Sequence, residues 1–377
     1  MRHWVALPLV LVAMVASGEP YVPASDAAVL ERNVPRRLAP PPGVRLDLPS
    51  ALRLASLEVD QGRKLADPRH FGRAQALLAP WWDANDPPPS VLLLRGSIRQ
   101  SLHEFPEARA DLRRLVEREP ANAQGWLMLA TVEQVTGDLE SARTRCAHLG
   151  PLVAPLILAA CQAGVDGASG DAERGMDRLE AAMAAGGRMP LDLLAWARSL
   201  QGELAARLGR DDIAARCFAL SLAFDPEDIY TRAAYADLLI DQGRNDEALR
   251  LVQGRTQADA LLLRAALAAH ANHAPEAGSL QRQMAERIDA ARRGGDRTHL
   301  REQSRFTLHV LGDPQAALAL ALENWTQQKE AADVRVALEA ASAAGRPEAV
   351  RAIAAFARRW RLQEPRVTKL LAGWTRA

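Results

Sequence analysis

Small and apolar residues recur along this chain with a period of about 34 residues. The clearest copy runs from Gly202 through Gly209, Ala214 and Phe218 to Pro226. Other copies place small residues at Gly96 and Ala108, at Ala130 and Ala142, and at Ala236 and Ala248. A fixed period of this length is typical of stacked repeats in which each repeat is one pair of helices.

The spacing of apolar residues favours helices throughout, and no segment shows the sustained alternation of a strand. Composition agrees, since Ala and Leu dominate and aromatic residues make up only 5% of the chain. We predict nine helix pairs, at 52–65 with 71–82, 90–102 with 106–118, 122–136 with 139–149, 156–164 with 171–185, 191–208 with 211–224, 228–242 with 245–253, 258–271 with 275–293, 298–311 with 314–328, and 332–344 with 347–360.

The repeated residue types have a physical reason. A small residue on each helix lets the two backbones approach closely, and the following large apolar residue fills the groove beside that contact. Gly209 and its equivalents follow the first helix, where the left-handed backbone that glycine adopts without steric cost is favoured.

These residues resemble the tetratricopeptide repeat (TPR) family over about residues 50–360, most specifically at 89–105, 123–146 and 195–252. The resemblance implies an all-α, right-handed superhelical solenoid of about nine antiparallel helix pairs over residues 49–377. Its best repeats are 89–150 and 191–255, its degenerate repeats are 50–88, 151–190 and 258–362, and its terminal cap is 363–377. It also implies that the first helices line a concave groove that binds peptides or protein segments.

A fainter resemblance is to an uncharacterised group of exported proteobacterial TPR proteins. It is carried by the Glu-Pro-Tyr-Val-Pro segment that begins at Glu19, by Trp81-Trp82 and by the proline run 87–89. It implies no known activity.

The N-terminus has the organisation of a secretory signal peptide over residues 1–18. Arg2 and His3 precede an apolar run over 4–16, and small residues follow at Ala16-Ser17-Gly18. Because this run is shorter than the roughly 20 residues of a membrane span, we predict cleavage after Gly18 and a periplasmic or secreted protein with no stable membrane span. The alternative is a retained membrane anchor.

Residues 19–48 are rich in proline, which forbids long helices there. We predict an extended arm. The alternative is a proline-rich peptide that docks on a partner or on the concave face of the chain itself.

Charge and motifs argue against nucleic-acid binding and catalysis. The chain has 47 Lys and Arg against 46 Asp and Glu, without the clustered basic face typical of nucleic-acid binding. It lacks the nucleophile, metalloprotease, phosphate-loop and dinucleotide motifs. His270 and His273 have a spacing that allows shared metal coordination, but a closed zinc site needs four ligands. We therefore predict no enzyme, no cofactor and no metal.

Helical phase, applied to the groove that the resemblance implies, gives a set of inward-facing side chains. The candidate partner-binding residues are Gln100, Thr131, Gln134, Trp196, Glu203, Tyr230, Asp237, His299, Glu302 and Phe306. Trp196 and Tyr230 fall at equivalent positions of adjacent repeats and would form one aromatic platform. The alternative is that both rings pack between repeats.

Three cysteines lie in a compartment that permits disulfides. Cys146 is on the second helix of one pair and Cys161 is on the first helix of the next. In a TPR stack those helices pack together, so a Cys146–Cys161 disulfide is one hypothesis and two buried thiols are the other. Cys217 is predicted to be a buried thiol.

The leading functional hypothesis is an exported, non-catalytic TPR scaffold that binds a protein or peptide in its groove during envelope complex assembly. The alternative is an assembly or carrier factor that binds a glycan or lipid-type ligand in the same groove.

Overall fold

The computed structural model describes residues 46–65, 67–185, 187, 189–293 and 298–374. They lie in one compact unit, and every regular element in this part of the chain is a helix. The predicted signal peptide and residues 19–45 of the predicted arm lie outside the described residues.

Twenty α-helices and one 3₁₀ turn follow one another along the described residues. Their bounds are α1 (Leu48–Leu65), α2 (Arg69–Leu77), α3 (Ala79–Trp82), α4 (Pro89–Ser101), α5 (Phe105–Arg118), α6 (Ala123–Val135), α7 (Leu139–His148), α8 (Pro155–Ala168), α9 (Ala172–Ala184), α10 (Leu191–Arg207), α11 (Asp211–Phe224), α12 (Ile229–Asp241), α13 (Asn245–Val252), α14 (Asp259–Ala271), α15 (Ala277–Arg293), α16 (Leu300–His309), α17 (Pro314–Trp325), α18 (Ala331–Ala343), the 3₁₀ turn (Pro347–Val350), α19 (Arg351–Arg359) and α20 (Pro365–Trp374).

Consecutive helices pack as pairs, and the first helix of each pair from α4 to α18 also contacts the first helix of the next pair. Short turns make such neighbours antiparallel. Counting α1 with α2 through α18 with α19, the described residues contain nine pairs, and α20 packs on α18. The prediction of an all-α solenoid is confirmed. Its right-handed sense stays a prediction.

The close approach of each pair explains the repeated residues. A Cβ atom at Gly202 would lie 2.6 Å from the ring of Phe218, which is buried opposite it. At the equivalent contact, a Cβ at Gly96 would lie 2.9 Å from Leu112. Both distances are shorter than carbon atoms tolerate, so only glycine admits the large side chain at these positions.

Several predicted helices have different bounds in the structure, among them the following two. The helix predicted at 156–164 continues to Ala168, because Gly164 and Gly167 serve packing there and do not end the helix. A Cβ at Gly167 would lie 2.5 Å from Leu204 Cδ2. The helix predicted at 71–82 divides into α2 and α3 at Leu78, just before Pro80.

The C-terminal helices return to the earlier repeats. The Lys329 amide donates a 2.8 Å hydrogen bond to the Val135 carbonyl at the end of α6. The Ala172 amide, at the start of α9, donates to Gln363 Oε1 at 2.9 Å. We call the contacts of residues 328–366 with residues 103–172 and with Asp241 the seam. Because the partners are about 190 residues apart in sequence, the solenoid closes on itself across this seam.

Candidate functional site

Ion pairs cross the inner surface formed by the first helices. Asp237 on α12 pairs with Arg264 on α14 and with Arg305 on α16, at 2.7 and 2.6 Å. Arg335 on α18 reaches Asp241 at the end of α12 through two hydrogen bonds of 2.6 and 2.8 Å. Side chains from helix pairs that are two and three positions apart along the stack therefore contact each other. These contacts bridge the inner surface, where the resemblance implied a concave groove.

These bridging groups are held in their charged forms. Burial works against ionisation of Asp237, but the Arg264 and Arg305 guanidinium groups hold its pKa well below the usual range. Burial likewise opposes ionisation of Glu302, whose pKa falls to about 2 because Arg301 and His299 lie beside it. Carboxylates fixed in this way stabilise the fold and are poorly suited to exchange protons near neutral pH.

The part of the inner surface on α10 and α12 is accessible. Tyr230 has 64% of its surface exposed, and Trp196 has 40%. Tyr230 lies beside Glu203 of α10 and near Glu330, which precedes α18, and the charges of these carboxylates, first that of Glu203, raise the pKa of its phenol. Trp196 lies seven residues before Glu203 on the same helix face. Two large aromatic side chains are thus presented on the inner side.

Phe306 does not belong to this accessible set, and its prediction as a groove residue is wrong. It is 1% exposed and packs with Leu262, Met284 and Ile288 of the preceding pair. Its neighbour Arg305 points inward to Asp237. Because successive residues on a helix differ by about 100° in direction, Phe306 faces α14 and α15.

The structure places the remaining predicted residues in two settings. The Thr131 hydroxyl donates to the Leu127 carbonyl of its own helix at 3.0 Å, and the Gln134 amide packs against Gly164 of α8. The other three, Gln100, His299 and Glu302, line a cavity of about 300 Å³ beside the seam. Gln100 Oε1 is buried there without a hydrogen-bond partner among the described residues.

His103, which was not predicted as a site residue, joins this cavity to the seam. Its ring lies 6.3 Å from that of His299, and its Nδ1 lies 2.7 Å from the Gln328 amide nitrogen. Burial lowers the pKa of His103 to about 4, and His299 adds to the effect. The ring is therefore neutral at pH 7, and Nδ1 accepts the proton of the Gln328 amide.

A departure from the repeat marks His103 in the sequence. It occupies the position that Gly137, Gly209 and Gly243 fill in other pairs, and like them it has a positive φ, of 58°. A histidine is strained in this conformation. His273 has the same strained backbone after α14 without a seam contact, so it is the ring position of His103, and not its backbone, that distinguishes it.

The structure joins Cys146 of α7 to Cys161 of α8 in a disulfide, with the Cα atoms 5.7 Å apart. The bond links two neighbouring pairs at their buried interface. Cys217 is a buried thiol whose pKa is raised by burial.

No group of three or more metal-binding side chains converges among the described residues, and His270 and His273 are both exposed. No described helix combines the length and apolar character that crossing a bilayer requires.

No family model and no curated protein matches the chain. Among solved structures, the chain is similar to a thermophilic TPR protein from Thermus thermophilus, with 24% identity and a TM-score of 0.40. The similarity covers 51% of this chain and 98% of that one. The period of the sequence and the stacking of its helix pairs make the fold a TPR-like α-solenoid.

Proposed function

We propose that this protein is an exported, non-catalytic scaffold that binds a protein or peptide segment on the inner face of α10 and α12. The observation that carries the proposal is the pair of exposed aromatic side chains, Trp196 and Tyr230, on that face. Large aromatic residues with a polar atom are the usual anchors of protein interfaces.

The charges beside these rings favour a polypeptide. Glu203 lies next to Tyr230, and Arg301 and Glu330 lie near it on the opposite side of the interior. Charges of both signs around an aromatic surface suit a peptide, which presents amide groups and mixed side chains. The neighbouring bridges, Asp237 with Arg305 and Arg335 with Asp241, limit the site to one segment rather than a folded domain.

Two features support export. Residues 1–18 have the sequence organisation of a signal peptide. The Cys146–Cys161 disulfide suits the oxidising compartments outside the cytoplasm. N-terminal sequencing of the mature protein tests this part directly. We expect the mature chain to begin at Glu19, and a chain that begins at Met1 would contradict cleavage.

The binding proposal is tested by crosslinking the tagged protein in its native envelope fraction, followed by mass spectrometry. We expect one dominant polypeptide crosslinked to α10 and α12, and we expect Trp196→Ala/Tyr230→Ala to lose it. The matched control is Leu220→Ala, since Leu220 is 46% exposed but lies on α11, the second helix of its pair.

Two outcomes would contradict the proposal. If the folded double variant keeps every partner, the aromatic face is not the binding surface. If no polypeptide is enriched and the aromatic variant instead loses a glycan or lipid-type ligand, the scaffold carries a non-protein ligand.

A further inference from the structure

Five arginine side chains converge on a cleft of about 460 Å³ that is separate from the aromatic face and from the cavity at His103. We call it the arginine cleft. Arg143 comes from α7, Arg174 and Arg178 come from α9, Arg359 is the last residue of α19, and Arg361 lies in the turn that follows it. The cleft therefore spans the seam, with arginines from both sides.

The guanidinium groups are held close together. Arg174 and Arg178 bind the two oxygens of the same carboxylate, Asp166, at 2.6 and 3.0 Å. Arg361 from the other side of the seam lies 3.4 Å from Asp171, which also pairs with Arg174. The cluster is thus organised around two carboxylates.

Arg143 adds a charge that no carboxylate of the described residues neutralises. Its guanidinium donates to the Ser169 hydroxyl at 2.9 Å. Ser169 is buried and also donates to the Val165 carbonyl at 2.7 Å, so the hydroxyl holds Arg143 in place. The Cys146–Cys161 disulfide fixes the two helices that carry Arg143 and Ser169.

Positive charge exceeds negative charge in the cleft. Asp166 and Asp171 are the carboxylates that line it, and Glu140 at its edge pairs with Arg359 at 3.2 Å. Five guanidinium groups facing three carboxylates leave two positive charges in excess. Arginine cannot lose its proton in a protein, so this excess of positive charge favours the binding of an anion from outside.

We propose that the arginine cleft binds a phosphate group carried by a small organic molecule. A phosphate has about −1.5 to −2 charges at pH 7 and three acceptor oxygens, which arginine forks match in geometry. The Trp360 ring, which lies 5.1 Å from the Arg359 guanidinium carbon, provides an apolar wall for the organic part. Bound phosphate would also draw the two sides of the seam together.

The test is isothermal titration of the full mature chain with phenyl phosphate and with pyrophosphate at constant ionic strength. We expect both to bind, and we expect Arg143→Gln/Arg361→Gln to weaken both at least tenfold. The control variant, Arg53→Gln/Arg282→Gln, removes two exposed arginines outside the cleft and should bind normally.

A second variant separates the phosphate from its organic part. Trp360→Ala should weaken phenyl phosphate by about threefold or more and leave pyrophosphate unchanged. It also keeps the proposal testable if the double arginine variant fails to fold. Sedimentation with vesicles that contain phosphatidic acid distinguishes a lipid headgroup, which would carry the protein down, from a soluble phosphate ester, which would not.

Three results would overturn the proposal. The first would be that neither phosphate compound binds to the wild-type chain more tightly than chloride does. The second would be that the control variant loses binding as fully as the cleft variant, which would indicate non-specific attraction. The third would be that a polyglutamate peptide binds at the cleft while both phosphate compounds fail, which would assign the cleft to an acidic polypeptide.

Discussion

The contacts within helix pairs and the contacts across the seam differ in the kind of interaction that forms them. Within a pair, Phe218 lies directly over Gly202, and the contact is apolar and recurs with the repeat. Across the seam, Arg335 binds Asp241, and the Lys329 amide donates to the Val135 carbonyl. Most of the seam contacts are polar like these two and occur once, and the approach of the Phe356 ring to Gly137 is an apolar exception.

The two kinds of contact have different roles in the fold. The apolar contacts hold each pair together and contribute to the intrinsic stability of each repeat, which is one of the two terms that add up to the stability of a solenoid. The seam contacts decide whether the inner surface is closed. Since polar contacts respond to pH and salt more than apolar contacts do, we expect acid or high salt to open the seam before the helix pairs unfold.

Removing the side chain at a pair contact should have the largest effect on stability. We expect Phe218→Ala to lower the free energy of unfolding by about 3–5 kcal/mol, because Phe218 is fully buried. Urea unfolding followed by circular dichroism measures this. Leu220→Ala on the same helix is the control and should change stability by less than about 0.5 kcal/mol. Equal losses would show that the pair contact is not special.

The disulfide should rank next. Cys146→Ser/Cys161→Ser should lower stability by about 3 kcal/mol, since the bond closes a loop with a sequence separation of 15 residues. Dithiothreitol should produce the same loss in the wild-type protein and no further loss in the double variant. If reduction leaves the wild-type unfolding curve unchanged, the pairing of these cysteines contributes nothing to the stack.

Breaking the seam should have a moderate effect on stability and a larger one on shape. We expect Arg335→Ala to lower stability by about 2–3 kcal/mol, less than for a fully buried pair because both partners keep some exposure. Small-angle scattering should show an increased radius of gyration, which Phe218→Ala does not produce under conditions where it stays folded. An unchanged radius would mean that other contacts keep the seam closed.

The seam should also weaken on acidification. The pKa of His103 is lowered to about 4 in the fold from its ordinary value of 6.5. The unfolded chain therefore binds the extra proton first, and the stability that neutral His103 provides is complete above pH 6.5 and is lost as pH falls toward 4. We expect a loss of about 2 kcal/mol between pH 7 and pH 5.

Two variants check this assignment. His103→Asn keeps a residue that tolerates the left-handed backbone and should abolish most of the loss between pH 7 and pH 5. His270→Asn, at an exposed histidine outside the seam, should retain it. A loss of the same size in both variants would assign the pH dependence to other groups.

The smallest effect on stability is expected at the aromatic face. Because Tyr230 is 64% exposed, Tyr230→Ala should change the free energy of unfolding by less than about 1 kcal/mol, as thermal or urea unfolding will measure. A loss as large as that of Phe218→Ala would show that Tyr230 packs between repeats, which would leave Trp196 alone on the accessible face.

The sequence could predict what repeats. The positions of Gly202, Ala214 and Phe218 recur, so their period revealed the helix pairs and the contact between them. Predictions failed where the same residue type can have two structural roles, as glycine can end a helix or allow close packing and phenylalanine can line a groove or fill the core. The helix predicted to end at residue 164 continues through Gly167, which makes room for Leu204. Phe306 was assigned to the inner face, although a rotation of about one residue places it in the core.

The seam could not be predicted in the same way. Gln328 and His103 are 225 residues apart, and no periodic pattern connects them. Whether such residues meet depends on small rotations summed over many pairs, which the sequence of any one pair does not specify. His103 stands at a position that Gly137, Gly209 and Gly243 fill in other pairs, but exposed His273 stands at the same position after α14, so this departure did not by itself indicate the seam.

The closure of the solenoid is tested most directly by a distance measured across the seam. Glu140 and Arg359 are exposed, lie 219 residues apart in sequence and approach to 3.2 Å. Spin labels at Glu140→Cys and Arg359→Cys, in a chain that keeps the Cys146–Cys161 disulfide and carries Cys217→Ser, report this separation by double electron–electron resonance. Closure predicts one narrow distribution at the short limit of the method, which Arg335→Ala shifts to longer distances. A broad distribution at long distance in the labelled chain with Arg335 unchanged would contradict it.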